Sequence, residues 1–181
     1  MIVLDNVCKT YSTGVAALNG VNLRIHKGEF VFIVGSSGSG KTTLFKLLLK
    51  ELEPTSGKIF LNSKNISRLR RGKVPKMRRG LGVVFQDFRL LKDRNVYENV
   101  ALARALVNNP PVLLADEPTG NLDPTNAWDI MMLLDDINKR GTTVVVVTHN
   151  QEIVERMQKR VITIDKGVVV SDEKGGIAND W

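Results

Sequence analysis

The stretch GSSGSGKTT at residues 35–43 lies between the apolar run FVFIV and a leucine-rich segment that begins at Leu44. It fits a phosphate-binding pattern in which glycine, four further residues and a second glycine precede lysine and then serine or threonine. The pattern requires a strand before it and a helix after it, and both flanks have that character. The alternative is a flexible loop rich in glycine and serine, which would need no such flanks. The stretch therefore predicts an α/β fold with this loop between a buried strand and a helix.

The residue types of this loop suit the binding of a nucleoside triphosphate. Its three glycines allow backbone conformations that other residues avoid, so that successive amide groups can converge on one anion. A helix that starts near Lys41 adds the partial positive charge of its N-terminus. We expect Lys41 to reach the β- and γ-phosphates and the Thr42 hydroxyl to ligate Mg²⁺. The predicted nucleotide-binding residues of the loop are Gly35, Ser36, Ser37, Gly38, Ser39, Gly40, Lys41, Thr42 and Thr43.

Short β-branched runs alternate with helical patterns along the chain, which predicts a mostly parallel sheet with flanking crossover helices. The clearest predicted strands are residues 30–34, 81–85, 112–115 and 142–148. An N-terminal antiparallel pair is predicted at residues 2–11 and 15–25, and a late hairpin at residues 161–165 and 168–170. Asp123 and Pro124 indicate a helix start, and the apolar stripe after them should pack on the sheet. The stripe consists of Ala127, Ile130, Met131, Leu134 and Ile137.

Polar side chains come directly after three of the predicted parallel strands. Asp116 and Glu117 end the apolar run VLLA, where adjacent charges are costly unless a cation or a reactive group lies nearby. We expect Asp116 to act at Mg²⁺ and Glu117 to polarise an attacking water; capping of the next turn is the alternative.

Gln86 and His149 also come after strands, and open α/β sheets bind ligands at that edge. Gln86 would contact the metal or its water and His149 the γ-phosphate, although each alone is better explained as a polar residue at a strand end. The predicted metal ligands are Thr42, Gln86 and Asp116.

Composition and charge limit the class of protein. No apolar run approaches the roughly 18 residues that cross a bilayer, and the N-terminus lacks the basic and apolar regions of a signal peptide. A chain of 181 residues is long enough for one well-buried domain and short for two, so we expect a single domain. The sole cysteine, Cys8, has no partner for an internal disulfide, which favours a reducing cytoplasm.

The formal charge of +7 is concentrated in an acid-free stretch between Glu53 and Asp87. Such a surface could contact anionic headgroups, an acidic partner or nucleic acid, or it could simply be solvated. Few aromatic residues are interleaved with these charges, which disfavours binding of single-stranded nucleic acid. The basic residues of the stretch are Lys58, Lys64, Arg68, Arg70, Arg71, Lys73, Lys76, Arg78 and Arg79.

The order of these motifs resembles the ATP-binding cassette family over nearly the whole chain. The matching segments are the loop GSSGSGKT, the glutamine in VVFQD, the run VLLADEPTGNLDP and the histidine in VVTHN. The resemblance implies a P-loop NTPase fold of RecA-like type, ATP and Mg²⁺ as ligands, and ATPase activity. Its catalytic residues would be Glu117, His149 and Lys41. The resemblance also implies that Tyr11 stacks on adenine and that Asp123 meets a second subunit.

One part of the family pattern is absent. After Ala101 a cassette would continue through a small helical subdomain to a signature similar to LSGGQ, whereas here Leu102 begins a segment that resembles the part of a cassette beyond the signature. We expect one cassette domain over residues 1–181 with a gap near residues 100–102, and impaired hydrolysis if the segment is truly deleted. The three explanations are omission of residues that the intact protein contains, deletion by design, and a natural short variant. We favour omission, because a natural cassette without this subdomain would leave apolar edges uncovered.

Within the family, the segments VVFQDFRLL and VYENV resemble the branch that acts in bacterial cell division. This resemblance implies a homodimer that closes on ATP and an integral membrane partner that docks near Phe88, Leu90 and Leu91. The alternative for these three residues is that they belong to the ordinary apolar core. It also implies an indirect link to peptidoglycan hydrolases, a location on the inner face of the plasma membrane, and no nucleic acid partner. Two alternatives are an ATPase for lipoprotein release or macrolide export, and a soluble cassette protein in DNA repair or translation.

Overall fold

The computed structural model describes residues 1–85 and 109–175. The elements of the first part are β1 (Ile2–Thr10), β2 (Ala16–Ile25), β3 (Phe30–Val34), α1 (Lys41–Leu48), β4 (Ser56–Leu61), β5 (Lys64–Asn65), a 3₁₀ turn (Arg71–Lys73), α2 (Val74–Arg78) and β6 (Leu81–Val84). Those of the second part are β7 (Val112–Asp116), α3 (Pro124–Lys139), β8 (Thr143–Val147), α4 (Gln151–Met157), β9 (Arg160–Asp165) and β10 (Val168–Glu173). The gap predicted near residues 100–102 lies outside the described residues.

One sheet has the strand order β10-β9-β3-β8-β7-β6. Its strands from β9 to β6 run parallel, and only β10 is antiparallel to its neighbour. Val147 of β8 is paired with Ile33 of β3 on one side and with Asp116 of β7 on the other. The carboxyl ends of these three strands therefore lie side by side, and the residues just beyond them are neighbours. The predicted α/β fold with a mostly parallel sheet is confirmed.

A second, antiparallel sheet has the order β2-β1-β4-β5. The predicted N-terminal pair of β1 and β2 is correct, with Ile2 opposite Ile25. The sequence patterns did not reveal β4, which pairs with the free edge of β1, or β5, which pairs with β4. The first half of β4 is exposed and contains glycine and lysine, so the segment lacks the apolar run by which the other strands were found.

Two apolar clusters cover the two faces of the parallel sheet. Val31 and Ile33 of β3 belong to a cluster with α1 and the antiparallel sheet, and Phe30 and Phe32 to a cluster with α3 and α4. Every residue of β3 and of β8 is buried, as expected for strands that are covered on both faces. Among the residues that the structure describes, no helix combines the length and apolar character that a membrane span requires.

The helix predicted after Asp123 is confirmed. The Asp123 side chain accepts a hydrogen bond from the backbone N–H of Asn126, Pro124 is the first helical residue, and the predicted apolar stripe is buried. Most of the predicted strands differ from the observed ones by one residue at an end, and β10 differs by three. β6 ends at Val84 and leaves Phe85 49% exposed, so apolar character alone did not mark the strand end. β10 extends beyond the predicted residues 168–170 to Glu173.

Candidate functional site

Residues 35–40 join the carboxyl end of β3 to the first turn of α1. Gly35 has φ 146°, and a Cβ at this position would lie 2.1 Å from the carbonyl oxygen of Ile164. Gly40 has φ 111°, and a Cβ there would lie 2.5 Å from the carbonyl oxygen of Ala17. Both positions combine a left-handed backbone with a close approach to another strand or loop, so any side chain would displace the loop.

The N-terminus of α1 has no side-chain cap and no acidic residue in its first turn. Its first amide groups therefore lack a side-chain partner, and such groups attract anions. The Lys41 ammonium donates hydrogen bonds to the carbonyl oxygens of Gly35, at 2.6 Å, and Ser36, at 2.8 Å. These contacts hold the positive charge against the loop. A helix N-terminus and an ammonium group at one loop form a site with the chemistry to receive phosphate.

The remaining loop residues differ in exposure. Ser36, Ser37 and Gly38 are exposed, as is Thr42 in the first turn of α1. Ser39 is buried, and its hydroxyl has no hydrogen-bond partner among the described residues.

Thr43 is also buried, and its hydroxyl lies 3.0 Å from the hydroxyl of Tyr11. Tyr11 is therefore placed beside the first turn of α1, with Lys9 Nζ 5.7 Å from the centroid of its ring. This position is compatible with the predicted contact to adenine, which stays a prediction.

Two carboxylates lie near the loop at the end of β7. Burial is the main factor that raises the pKa of Asp116; the charge of Glu117 also raises it, while Lys41 and Lys46 oppose the shift. The pKa of Lys41 is lowered, chiefly by burial, against the opposing effect of Glu117 and Asp116. Each of these three groups therefore feels the charge of the other two. The raised pKa of Asp116 means that ionisation of this carboxyl group is disfavoured where it lies. A cation beside Asp116 and Glu117 would offset that effect, so the pair favours the approach of a cation.

His149 lies just beyond β8, next to the strand that carries the carboxylates. Its Nδ1 lies 2.8 Å from Oε1 of Glu117. The Glu117 side chain is 15% exposed and that of His149 is 69% exposed. Glu117 has φ 48°, and its N–H donates to the carbonyl oxygen of Val147 at 2.9 Å. The imidazole and the left-handed backbone together fix the direction of this carboxylate, and they leave Nε2 of the ring available to a ligand.

The structure brings Lys41, Asp116, Glu117 and His149 into one region at the carboxyl edge of the parallel sheet. Gln86 and the apolar residues Phe88, Leu90 and Leu91 lie outside the described residues. Both carboxylate oxygens of Asp123 accept hydrogen bonds from Asn126, and the backbone bond is the main factor that lowers the pKa of Asp123.

The donor groups of this region could supply part of the coordination shell of Mg²⁺. Within residues 1–85 and 109–175, no three His, Cys, Asp or Glu side chains are grouped so that they could hold a metal by themselves. Mg²⁺ commonly takes only one or two protein ligands and completes its shell with phosphate oxygens and water. The exposed Thr42 hydroxyl and the Asp116 carboxylate are donors of the required kind. They fit Mg²⁺ that arrives with a nucleotide.

Sequence reasoning missed the support beneath the loop. The carbonyl oxygen of Ser39 accepts a hydrogen bond from the N–H of Gly167 at 2.9 Å, and Asn19 donates to the carbonyl oxygen of Gly167 at 2.8 Å. The turn between β9 and β10 thus connects the loop to β2. The sequence identified this turn only as part of a hairpin, because nothing in local spacing reveals a partner so distant along the chain.

Comparison with known proteins agrees with this geometry. A family model described as ABC transporter matches residues 18–100. The chain is 42% identical to the cell division ATP-binding protein FtsE of Bacillus subtilis in an alignment 222 positions long, which covers 97% of this chain and 97% of that protein. It is 42% identical to FtsE of Mycobacterium tuberculosis in an alignment 224 positions long, which covers 98% of this chain and 97% of that protein.

A solved structure with a similar fold is the dimeric ATP-binding cassette MJ0796 in a post-hydrolysis state bound to ADP and Pi. Its TM-score is 0.86 and its sequence identity 34%, with 96% of this chain and 98% of that chain covered.

Proposed function

The chain belongs to the ATP-binding cassette family of ABC transporters, and we propose that it is the ATP-hydrolysing subunit of a membrane complex of FtsE–FtsX type that acts in cell division. The single observation that carries the catalytic part is the 2.8 Å contact between His149 and Glu117, beside the half-buried Lys41 and Asp116. It supports the proposal because hydrolysis of a nucleotide needs a carboxylate of fixed direction near the phosphates.

Nucleotide binding rests on the loop and α1. The uncapped first turn of α1 and the Lys41 ammonium would hold the β- and γ-phosphates of ATP. Thr42 and Asp116 would hold Mg²⁺, with Gln86 as a further ligand. Tyr11, fixed against Thr43, would contact the adenine. When bound, Mg²⁺ supplies positive charge that offsets the negative charge of the phosphate oxygens.

The chemistry of hydrolysis would be in-line attack of water on the γ-phosphate. Glu117 would accept a hydrogen bond from the water and orient it, while His149 holds the carboxylate in place and offers Nε2 toward the γ-phosphate. Lys41 and the loop amides would stabilise the charge that develops on the phosphate oxygens. Partial burial of Lys41 strengthens this effect, because electrostatic interactions weaken in contact with water.

We propose further that the intact protein contains a helical subdomain with a signature motif between Ala101 and Leu102. Two observations support this. The family match ends at residue 100, and the alignment with Bacillus subtilis FtsE runs over 222 residues although this chain has 181. In the cassette family, each ATP is enclosed by the loop of one subunit and the signature of another, so hydrolysis requires a homodimer. A chain that truly lacked the segment would bind ATP and hydrolyse it poorly.

ATP hydrolysis would produce force or a signal that passes to an integral membrane partner of FtsX type, and through this partner to peptidoglycan hydrolases. The similarity to FtsE proteins supports this interpretation. The location would be the inner face of the plasma membrane, without a nucleic acid partner. An exporter for lipoproteins or macrolides is the second candidate, because such cassettes share the run EPTGNLD at residues 117–123.

Co-purification tests the partner, and an intact-mass measurement tests the missing segment. The protein would be isolated from its own membranes with a tag on its C-terminus. Recovery of an FtsX-type protein together with Mg²⁺-dependent ATPase activity is expected, and recovery of an exporter permease would favour the second candidate. A polypeptide mass of 20.1 kDa would refute the proposed extra segment.

A further inference from the structure

The segment from Arg68 to Arg79 forms a surface on which positive charge is not compensated. All of its basic side chains are exposed, and within the described part of the chain none of them forms an ion pair. The sequence offers no acidic residue between positions 54 and 86 that could neutralise them. We call this set the basic surface; it consists of Arg68, Arg70, Arg71, Lys73, Lys76, Arg78 and Arg79.

The local fold explains why these charges point outward. Val74 and Met77, one helical turn apart on α2, are half-buried, and Met77 packs against the core cluster around α1. Arg78 Nε donates to the carbonyl oxygen of Leu49 at 2.9 Å, which fixes α2 against the end of α1. Lys73, Lys76 and Arg79 succeed one another at intervals of three residues. Lys76 and Arg79 therefore lie on the side of this turn of chain that is opposite Val74 and Met77.

Some basic side chains elsewhere in the described structure have acidic partners, whereas others, such as Arg24 and Lys27, are exposed without one. Asp135 pairs with Lys139 at 2.8 Å and with Lys159 at 2.7 Å. Arg160 pairs with Asp172 and with Glu29. Seven like charges within twelve residues repel one another, and none of the acidic side chains in residues 1–85 and 109–175 forms an ion pair with them. An external anionic partner would relieve this repulsion.

The chemistry of the surface favours lipid headgroups over nucleic acid. No aromatic side chain lies between residues 68 and 79, so there is nothing on which bases could stack. A cluster of about four to eight lysines and arginines is typical of segments that bind anionic lipid, where charge density matters more than exact geometry. We propose that the basic surface binds anionic phospholipid headgroups, so that this chain contacts the membrane directly in addition to any membrane partner. The proposal rests on the proposed location at the inner face of the plasma membrane, but it does not depend on the ATPase chemistry.

The test is sedimentation of the full chain with vesicles of phosphatidylcholine, with and without phosphatidylglycerol. The first variant replaces Arg70, Arg71, Lys73 and Lys76 with glutamine, and leaves Arg78 and its bond to α1 intact. The control variant makes the same change in charge at four other exposed residues without an ion pair in the described structure. These are Arg24, Lys27, Arg140 and Lys174.

The wild-type chain is expected to bind only vesicles that contain phosphatidylglycerol, and to release them as salt is raised. The first variant should bind about a thousandfold more weakly at low salt, because each of the four basic residues near an anionic surface contributes separately, by about 1 kcal/mol. The control variant should change by no more than about twofold, since its charges lie elsewhere. Both variants should retain the thermal midpoint and the Mg·ATP affinity of the wild type.

Three results would overturn the proposal. One is absence of wild-type binding to phosphatidylglycerol vesicles, and another is an equal loss in both variants, which would indicate an effect of net charge alone. The third is tight binding of a labelled DNA duplex that only the first variant abolishes, without vesicle binding. Because ATP affinity is measured on the same samples by calorimetry, a failure of the nucleotide site would be seen separately from a failure of the lipid contact.

Discussion

His149 Nδ1 and Glu117 Oε1 lie 2.8 Å apart, at the ends of two neighbouring parallel strands. The two residues are 32 positions apart in the chain, and the register of β7 with β8 brings them together. The contact gives the carboxylate a fixed direction beside Lys41. The proposed chemistry depends on this direction, because a water molecule must be held in line with the bond that breaks.

Replacing His149 with alanine should lower kcat for ATP hydrolysis by about ten- to a hundredfold in the intact protein, while KM changes little. In the proposed mechanism the imidazole positions Glu117, while the loop and Lys41 hold most of the nucleotide. His26, the other histidine, is exposed, so His26→Ala is the matched control and should keep parental kinetics. Steady-state kinetics measure both variants. A large rise in KM with unchanged kcat would contradict a positioning role.

Replacing Lys41 with alanine should weaken ATP binding at least about tenfold, because the phosphates lose a charged hydrogen-bond donor. Lys46 lies on the same helix, is exposed, and interacts with Asp116 only at a distance. Lys46→Ala is therefore the control, and its affinity should stay within about twofold of the wild type. Isothermal titration calorimetry with Mg·ATP measures both. Near-normal affinity of Lys41→Ala would refute the loop assignment.

Replacing Tyr11 with phenylalanine removes the hydroxyl that lies 3.0 Å from Thr43 but keeps the ring. If the ring stacks on adenine, Tyr11→Phe should bind ATP nearly as well as the wild type. Tyr11→Ala should then lose on the order of tenfold, since stacking of a base on an aromatic ring contributes about 1–3 kcal/mol. Binding of inorganic triphosphate serves as the control and should be equal in both variants. Equal ATP affinities for the two variants would exclude the stacking role.

The raised pKa of Asp116 predicts a pH-dependent cost to folding. The folded protein keeps this proton to higher pH than the unfolded chain does, so ionisation disfavours the folded state. The cost is absent below the ordinary value of 3.8 and complete above the raised folded pKa. Without nucleotide and Mg²⁺, Asp116→Asn should therefore raise the thermal midpoint at neutral pH, and the gain should shrink as pH falls toward 3.8.

Thermal unfolding of wild type and variant across this pH range measures the effect. Asp129→Asn, at an exposed position on α3, is the control and should give no pH-dependent difference. A gain for Asp116→Asn that is the same at every pH would show that the variant acts by something other than the loss of the buried charge.

The parts of the fold that the sequence predicted are those with a strong local pattern. β3 and β8 are continuous apolar runs, and the loop after β3 has glycine spacing that few folds require. The grouping of Lys41, Asp116 and Glu117 results from a simple rule, since the carboxyl ends of parallel strands share one edge of a sheet. That rule did not predict the direction and the neighbours of each side chain.

The features that the sequence did not predict depend on contacts between distant segments. β4 is half exposed and pairs with a strand more than fifty residues earlier, as in Ile2 opposite Leu61, so its own pattern is weak. The hydroxyl contact of Tyr11 with Thr43 and the backbone bond from Gly167 to Ser39 likewise join separate segments. Phe85 shows the opposite error, since it was predicted to belong to a strand that ends at Val84. Its apolar side chain follows the strand and is exposed.

The hydrolysis rate of Glu117→Gln in the intact protein tests the central claim most directly. The substitution keeps the size of the side chain and removes the charge that would orient the attacking water. We predict Mg·ATP affinity within about twofold of the wild type, hydrolysis slowed by about a hundredfold or more, and a dimer that persists with ATP and is visible by light scattering. Turnover of ATP at the parental rate would contradict the assignment of Glu117, and with it the account of this site.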